Sequence, residues 1–346
     1  MAEVDRVVLM GAPGSPYTRK MLALLRYRRI PYTFLTRGMA AERGLPQAKV
    51  PLLPTFYFPD ASGQLIPVTD SSPLIQRLEA QSQARSAIPS DPAMAFLDML
   101  LEDYADEWLT KPMFHFRWAH APDAARSEAV LPFYRGLSRP DSAVRNDGRA
   151  FAERQTSRLR FVGSNVATGP LIEASYTRLL ALLDRHFALS PFLLGLRPGA
   201  SDFALFGQLT QLAAYDPTPM ALTLAQAPRI YAWTAVAEDL SGLEPEDADW
   251  TRPADVPATL RALLAEVGRT YVPVMLANLA AVETNASIVR ASIDGVQWEQ
   301  QPFPYQAKCV RWLREAYLAL IRRFLRTGAI EESEARRVIN ALAGRP

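Results

Sequence analysis

The sequence predicts an α/β unit at its N-terminus, then an all-helical region, then a mostly helical extension containing one small β-hairpin. Three observations predict this order. Between Val7 and Leu35 the apolar spacing switches from a strand run to a helical period and back. From Pro92 onward strand signals almost vanish. Near the C-terminus an alternating stretch surrounds Asp294-Gly295, a dipeptide that supplies the positive φ angles of a two-residue hairpin turn. The expected units are residues 1–84, 90–245 and 250–346.

Val7 to Met10 reads as a strand ended by GAPGSP, and Tyr17, Met21, Leu24 and Leu25 give the helix that follows. Tyr32 to Leu35 is a second strand. The runs Phe56–Phe58 and Leu65–Val68 flank Asp60, Ala61, Ser62 and Gly63, which fits two antiparallel strands. The segment from Asp70 to Ala80 then opens with capping residues and the early Pro73, and places Leu74, Ile75 and Leu78 on one helical face. The unit is therefore β-α-β-loop-β-β-α.

Phe96, Leu97, Leu100, Leu101, Tyr104 and Trp108 keep one helical face until Pro112, which should kink or end that helix. Helical patterns follow at 143–161, 171–187, 202–214 and 228–240. The acidic, Pro-containing segment from Glu246 to Pro257 reads as a linker. Beyond it, residues 287–300 form the hairpin. Tyr305 to Leu325 places Cys309, Trp312, Leu313, Ala316, Tyr317 and Leu320 on one helical face, and a last helix is expected after Ile330.

Composition narrows the function classes. Hydrophobic residues make up 49% and charged residues 21%, with a formal charge of +2, which fits a folded globular chain with no polyanion partner. Arg311, Arg314, Arg322, Arg323 and Arg326 form a solvated helix face rather than a nucleic-acid stripe. No run of about 18 apolar residues spans a membrane, and the start lacks a secretory pattern, so a cytoplasmic protein is expected. The single Cys309 excludes an internal disulfide framework, and its apolar helical face points to buried packing. His115, His120 and His186 are scattered, so no metal site is expected. Glu102, Asp103, Asp106 and Glu107 follow a helix and are expected to include its solvated face.

Three motifs concentrate the possible chemistry. Ser15 stands where the first strand meets the first helix, with Pro16 in the first turn. N–H groups at a helix start favour an anion by about 0.3–2 kcal/mol, and a donated hydroxyl adds to that. Lowering a thiol pKa by two units from about 8.5 needs about 2.7 kcal/mol, so the two effects suffice together. Lys49-Val50-Pro51 precedes a strand, and Thr69-Asp70-Ser71-Ser72 precedes the third helix. Taken singly, Ser15, Asp70 and Ser71 also serve as ordinary helix caps.

In this order and spacing, SPYTRK, KVP and the Asp70-Ser71 pair leading into SPLIQRL resemble the N-terminal domain of the glutathione S-transferase superfamily, serine type. The resemblance covers about residues 5 to 245 and implies a thioredoxin-like domain followed by the family's all-α C-terminal domain. It further implies that Ser15 faces the glutathione sulfur and that a cis-Pro at Pro51 lets Val50 pair with the peptide backbone. Asp70 and Ser71 would hold the γ-glutamyl group, and Lys49 would reach the glycyl carboxylate. FLLGLRPGASDFALFGQL resembles the family's buried capping motif. Asp202 matches its acid, but Gly199 stands where a Ser or Thr is usual, so the hydroxyl half is absent unless Ser201 compensates.

The resemblance implies a homodimer with glutathione as co-substrate and an apolar electrophile as acceptor. Tyr17, Tyr104, Trp108, His115 and Trp118 are the candidate acceptor-pocket residues, although their helical spacing also suits interdomain core. A dehalogenase or isomerase is a close variant. A non-catalytic scaffold that binds a protein through its extension is the alternative from another class. A thiol-disulfide reductase is disfavoured because Ser occupies the nucleophile position.

Overall fold

In the computed structural model, which describes residues 6–82, 84–327, 331 and 333, the first strand β1 (Val7–Met10) lies inside a four-stranded sheet. It is followed by α1 (Pro16–Tyr27), β2 (Tyr32–Leu35), α2 (Arg37–Glu42), β3 (Thr55–Pro59), β4 (Leu65–Val68) and α3 (Ser71–Gln81). The strand order is β2-β1-β3-β4, with β1 parallel to β2 and antiparallel to β3, and β3 antiparallel to β4. Leu9 pairs with Phe34 on one side and Phe56 on the other. Leu9 and Phe56 are fully buried and share one core with Met21, Leu24, Leu74 and Leu78. The domain is thioredoxin-like.

Helices then follow in unbroken sequence: α4 (Pro92–Asp103), α5 (Thr110–Ala119), α6 (Ala121–Val130), α7 (Asp141–Thr156), α8 (Gly169–Phe187), α9 (Ala200–Leu212), α10 (Pro217–Gln226) and α11 (Pro228–Val236). The extension adds α12 (Ala258–Glu283), the hairpin β5 (Val289–Ile293) and β6 (Val296–Gln300), and α13 (Pro304–Thr327). Asp294 and Gly295 both take positive φ at the hairpin turn, as the dipeptide predicts. The sequence pattern gives no element for α2, α6 or α10. The last helix expected after Ile330 lies outside the described residues. Among the described residues no helix is long and apolar enough to cross a membrane.

The break near Pro112 has a different cause from the one expected. A π turn (Tyr104–Trp108) closes α4, with Leu109 N–H donating to Tyr104 C=O, and Pro112 sits in the first turn of α5. There its missing N–H costs little. The acids of this region are also corrected: Glu102, Asp106 and Glu107 are buried, the first two against Lys20 of α1 and Glu107 against Gln306 of the extension.

The sheet domain and the bundle meet where α1 packs against α9. A Cβ at Gly207 would overlap the Pro16 carbonyl, so glycine permits this approach. Tyr27 packs on Phe203 across the same junction at 5.4 Å between ring centroids. The start of α9 resolves the altered capping motif. Asp202 accepts from the Gly199 N–H at 2.9 Å and from the Leu193 N–H at 2.9 Å. The missing hydroxyl is replaced by Asp98 of α4, which accepts from the N–H groups of Ala200 (3.2 Å) and Ser201 (3.0 Å) and from the Ser201 hydroxyl (2.6 Å). A side chain at 199 would overlap the Asp98 carboxylate, so Gly199 and Asp98 form one device.

Candidate functional site

Two helix starts, both at the ends of sheet strands, carry the site. At the first, Ser15 caps α1 by accepting from the Thr18 N–H at 3.3 Å. The cap uses an oxygen lone pair and leaves the hydroxyl hydrogen available to donate elsewhere. The preceding loop is gripped from the bundle. Gly14 C=O accepts from Arg117 (3.2 Å) and Pro13 C=O accepts from Gln211 (3.2 Å). Arg117 is in turn bound through two nitrogens to the fully buried Asp216, at 2.9 and 2.8 Å. A mobile loop would blur an anion site; this one is pinned.

Ser15 borders a cavity of about 290 Å³ between the sheet domain and the segment joining α6 to α7. Gly11, Ala12, Gly14 and Leu53 line it on the sheet side, and Leu131, Pro132, Tyr134 and Phe151 on the bundle side. Arg37, Arg135 and Arg154 bring cations to its rim, with Asp147 the one acid among the lining residues. Arg135 pairs with that acid at 3.1 Å. The volume lies near the lower end of small-molecule pockets, which start at roughly 300 Å³.

The cis-Pro is displaced from its expected place. The cis peptide is Leu53-Pro54, directly before β3, whereas Val50 and Pro51 lie on an exposed loop together with Lys49. Two X-Pro pairs stand in this stretch, and the one that abuts the strand is the later one. Leu53, and not Val50, borders the cavity.

The structure places the candidate acceptor residues elsewhere. None of Tyr17, Tyr104, Trp108, His115 and Trp118 lines this cavity. Tyr17 donates to Asp106 C=O at 2.9 Å, Tyr104 packs on Tyr271, and Trp108 packs on Trp298 at 5.6 Å. His115 lies among Ser164 and Glu173. Trp118 supports the site from behind, its ring meeting Phe151 edge-on at 5.7 Å. Helical spacing marks core and pocket alike, which is why it selected these residues. The bundle-side wall, Leu131, Pro132, Tyr134 and Arg135 with Phe151 and Arg154, was missed. Its one signal is the aromatic Tyr134 in a stretch without helical period.

At the second helix start Asp70 precedes α3 with φ 87° and ψ 108°, a backbone setting that side-chain-bearing residues rarely take. Its carboxylate is already engaged. Tyr305 of α13 donates to Oδ1 at 2.8 Å, and the Lys308 ammonium stands 3.8 Å from Oδ2. Ser71 is buried, and its oxygen accepts from Lys20 at 3.2 Å. Lys20 lies on α1 with no exposed surface and reaches Glu102 and Asp106, each at 2.6 Å. Burial opposes the Lys20 charge, but Asp106 and Glu102 together hold its pKa above the ordinary lysine value.

Around this pair lies a buried polar layer supplied largely by the extension. Tyr271 donates to Asp103, Gln306 donates to Glu107 at 3.0 Å, and Lys111 donates to Gln300 at 3.0 Å. Burial pushes the Glu107 carboxyl up to about 8, with the nearby Asp103 adding to the rise. Burial also pulls Lys111 down to about 8. Cys309 is buried here, and burial with the Asp103 charge drives its thiol far above the usual range, so it is no nucleophile.

Residues 9–86 match the glutathione S-transferase N-terminal domain and residues 150–235 match the glutathione S-transferase C-terminal domain. The search of curated proteins gave no match. Among solved structures, the chain is similar to a glutathione transferase family member from Pseudomonas fluorescens pf-5 with two glutathione bound. The two share 14% identity over 68% of this chain and 89% of that one, with a TM-score of 0.41. It is also similar to a glutathione S-transferase from Rhodospirillum rubrum F11 at 18% identity, over 72% of this chain and 98% of that one, again with a TM-score of 0.41. A sheet domain and a helical domain that each match their counterpart, in the family's order, show that the chain belongs to the glutathione S-transferase superfamily.

Proposed function

We propose that the protein is a serine-type glutathione transferase that joins glutathione to an apolar electrophile. The observation that carries this reading is Ser15: a capped helix start whose free hydroxyl hydrogen borders a cavity with an apolar far wall. In this scheme the glutathione thiol loses its proton to solvent. Its thiolate is then held by the Ser15 hydroxyl and the N–H groups of the first turn of α1. The sulfur forms a bond to the acceptor carbon, and the leaving group departs with its electron pair. Leu131 and Phe151 supply the apolar surface that places the acceptor beside the sulfur.

In this reading the rest of glutathione extends from the cavity at Ser15 to Asp70 and Ser71, which lie outside its lining. Leu53 takes the backbone-pairing role first assigned to Val50, and Arg37, which lines the cavity as Lys49 does not, meets the glycyl carboxylate. Asp70 and Ser71 take the γ-glutamyl group, whose ammonium must compete with Lys308 and Tyr305 for the Asp70 carboxylate. A homodimer goes with the resemblance, but α12 and α13 cover α8 and α4 and would leave a monomer if that is the dimer face; sedimentation distinguishes a dimer from a 38.4 kDa monomer.

The test is turnover of reduced glutathione with a panel of aryl halides and activated alkenes. Rates above the uncatalysed reaction that collapse in Ser15→Ala support the proposal. No acceleration with any electrophile, in a protein that binds glutathione, contradicts the transferase chemistry and leaves a binding role.

A further inference from the structure

On the side of α5 away from the cavity, three potential ligands converge. His115 Nε2 lies 3.1 Å and His120 Nε2 3.0 Å from the same oxygen, Oε1 of Glu173 on α8. The donor atoms of all three lie within 4.8 Å of one another. We propose that His115, His120 and Glu173 form a binding site for one divalent transition-metal ion of the zinc class.

The backbone creates this convergence. Residues five apart on a continuous α-helix point about 140° apart, so the sequence spacing alone suggests no shared ligand. Here α5 ends at Ala119, and His120 leaves the helix at φ −101° and ψ 126°, which turns its ring back toward His115. The two imidazoles stand nearly perpendicular, at 88° with centroids 5.6 Å apart.

Both rings are held in place by neighbours. His115 Nδ1 lies 2.7 Å from the Ser164 hydroxyl, a partner that commits the other nitrogen to the shared point. The His120 ring stacks on Phe116 at 5.3 Å and 26°. Such outer partners are what separates a built metal site from a chance cluster.

Donor chemistry selects the ion. Two imidazole nitrogens with one carboxylate suit zinc, cobalt, nickel or copper, whereas magnesium and calcium prefer oxygen ligands alone. Ligands about 2.0–2.1 Å from a tetrahedral ion stand roughly 3.4 Å apart. The two His–Glu separations of 3.0 and 3.1 Å need a small opening, and the two imidazole nitrogens, within 4.8 Å of each other, need at most a modest closing. His115 is buried, while the side chains of His120 and Glu173 keep 30% and 41% of their surface. That leaves an entry path and room for a water as fourth ligand. The ion would tie the α5–α6 elbow to α8, directly behind Arg117 and Trp118, which brace the cavity loop and Phe151.

The experiment uses the full chain, freed of any affinity tag and stripped with chelator. Zinc is titrated calorimetrically, and cobalt is followed by its visible absorption. The expected result is one equivalent bound per chain with a rise in Tm, and no response to magnesium. His120→Gln and Glu173→Gln should each abolish the cobalt spectrum, while Ser164→Ala should weaken binding about 10-fold. Circular dichroism of each variant separates loss of a ligand from loss of fold. Absence of stoichiometric binding to the wild type, or unchanged binding in either His120→Gln or folded Glu173→Gln, would overturn the proposal.

Discussion

The two helix starts that the sequence singles out have been treated differently by the fold. The start of α1 borders a cavity, with Ser15 half-buried at its edge. The start of α3 is covered, because Tyr305 and Lys308 of the extension reach the Asp70 carboxylate. Both carry capping residues and both fit a ligand-binding motif. What separates them is α13, a segment outside the two domains that match the family. A motif records which groups are present; a distant helix decides whether they are free.

Lys20 joins the two starts, since it rises from α1 and bonds Ser71 of α3 as well as Glu102 and Asp106. Removing it in Lys20→Met leaves two buried acids without their cation, and the expected loss is about 3–5 kcal/mol in urea unfolding. A loss below about 1 kcal/mol would mean that the acids are protonated and the link is dispensable.

Ser15→Ala tests the open start. Turnover should fall about 100-fold, the scale of removing one donor to a developing anion, while glutathione affinity changes little. An equal loss in affinity and rate would instead make Ser15 a binding group.

Freeing the covered start is a smaller effect. Tyr305→Phe combined with Lys308→Ala should tighten glutathione binding about 5- to 10-fold, the scale of about 1 kcal/mol for a competing hydrogen bond and exposed charge. Weaker binding in the double variant would show that α13 helps to hold the γ-glutamyl group and does not compete for it.

The subtlest test concerns the buried layer beneath α13. Glu107 is held well above its ordinary 4.5. The folded state therefore keeps a proton that the unfolded state releases, and stability falls as pH rises from about 4.5 toward 8. Glu107→Gln should flatten that slope in unfolding midpoints measured across this range. An unchanged slope would assign the pH dependence to other buried acids such as Asp98, which burial raises to about 8.

Period and turn chemistry made much of the fold legible. The change of spacing after Met10, the turn residues Asp60 to Gly63 and the Asp294-Gly295 dipeptide each marked an element that the structure contains. Long-range pairing stayed hidden. Glu102, Asp106 and Glu107 look like solvated acids until Lys20 and the extension are folded against them, and no local pattern reports that. Gly199 looks like a lost cap, but the missing oxygen comes from Asp98, a residue 101 positions earlier whose contribution only packing reveals. The displaced cis-Pro is a nearer miss, since the motif pointed to Pro51 and the proline that abuts β3 is Pro54.

The central claim is that glutathione lies across both helix starts. Calorimetric titration of reduced glutathione into wild type and Asp70→Asn tests it most directly, because Asn tolerates the positive φ and keeps the fold while removing the charge. The account predicts saturable one-to-one binding in the wild type that is lost in Asp70→Asn. No heat at millimolar glutathione in either the wild type or the Tyr305→Phe/Lys308→Ala variant would contradict it.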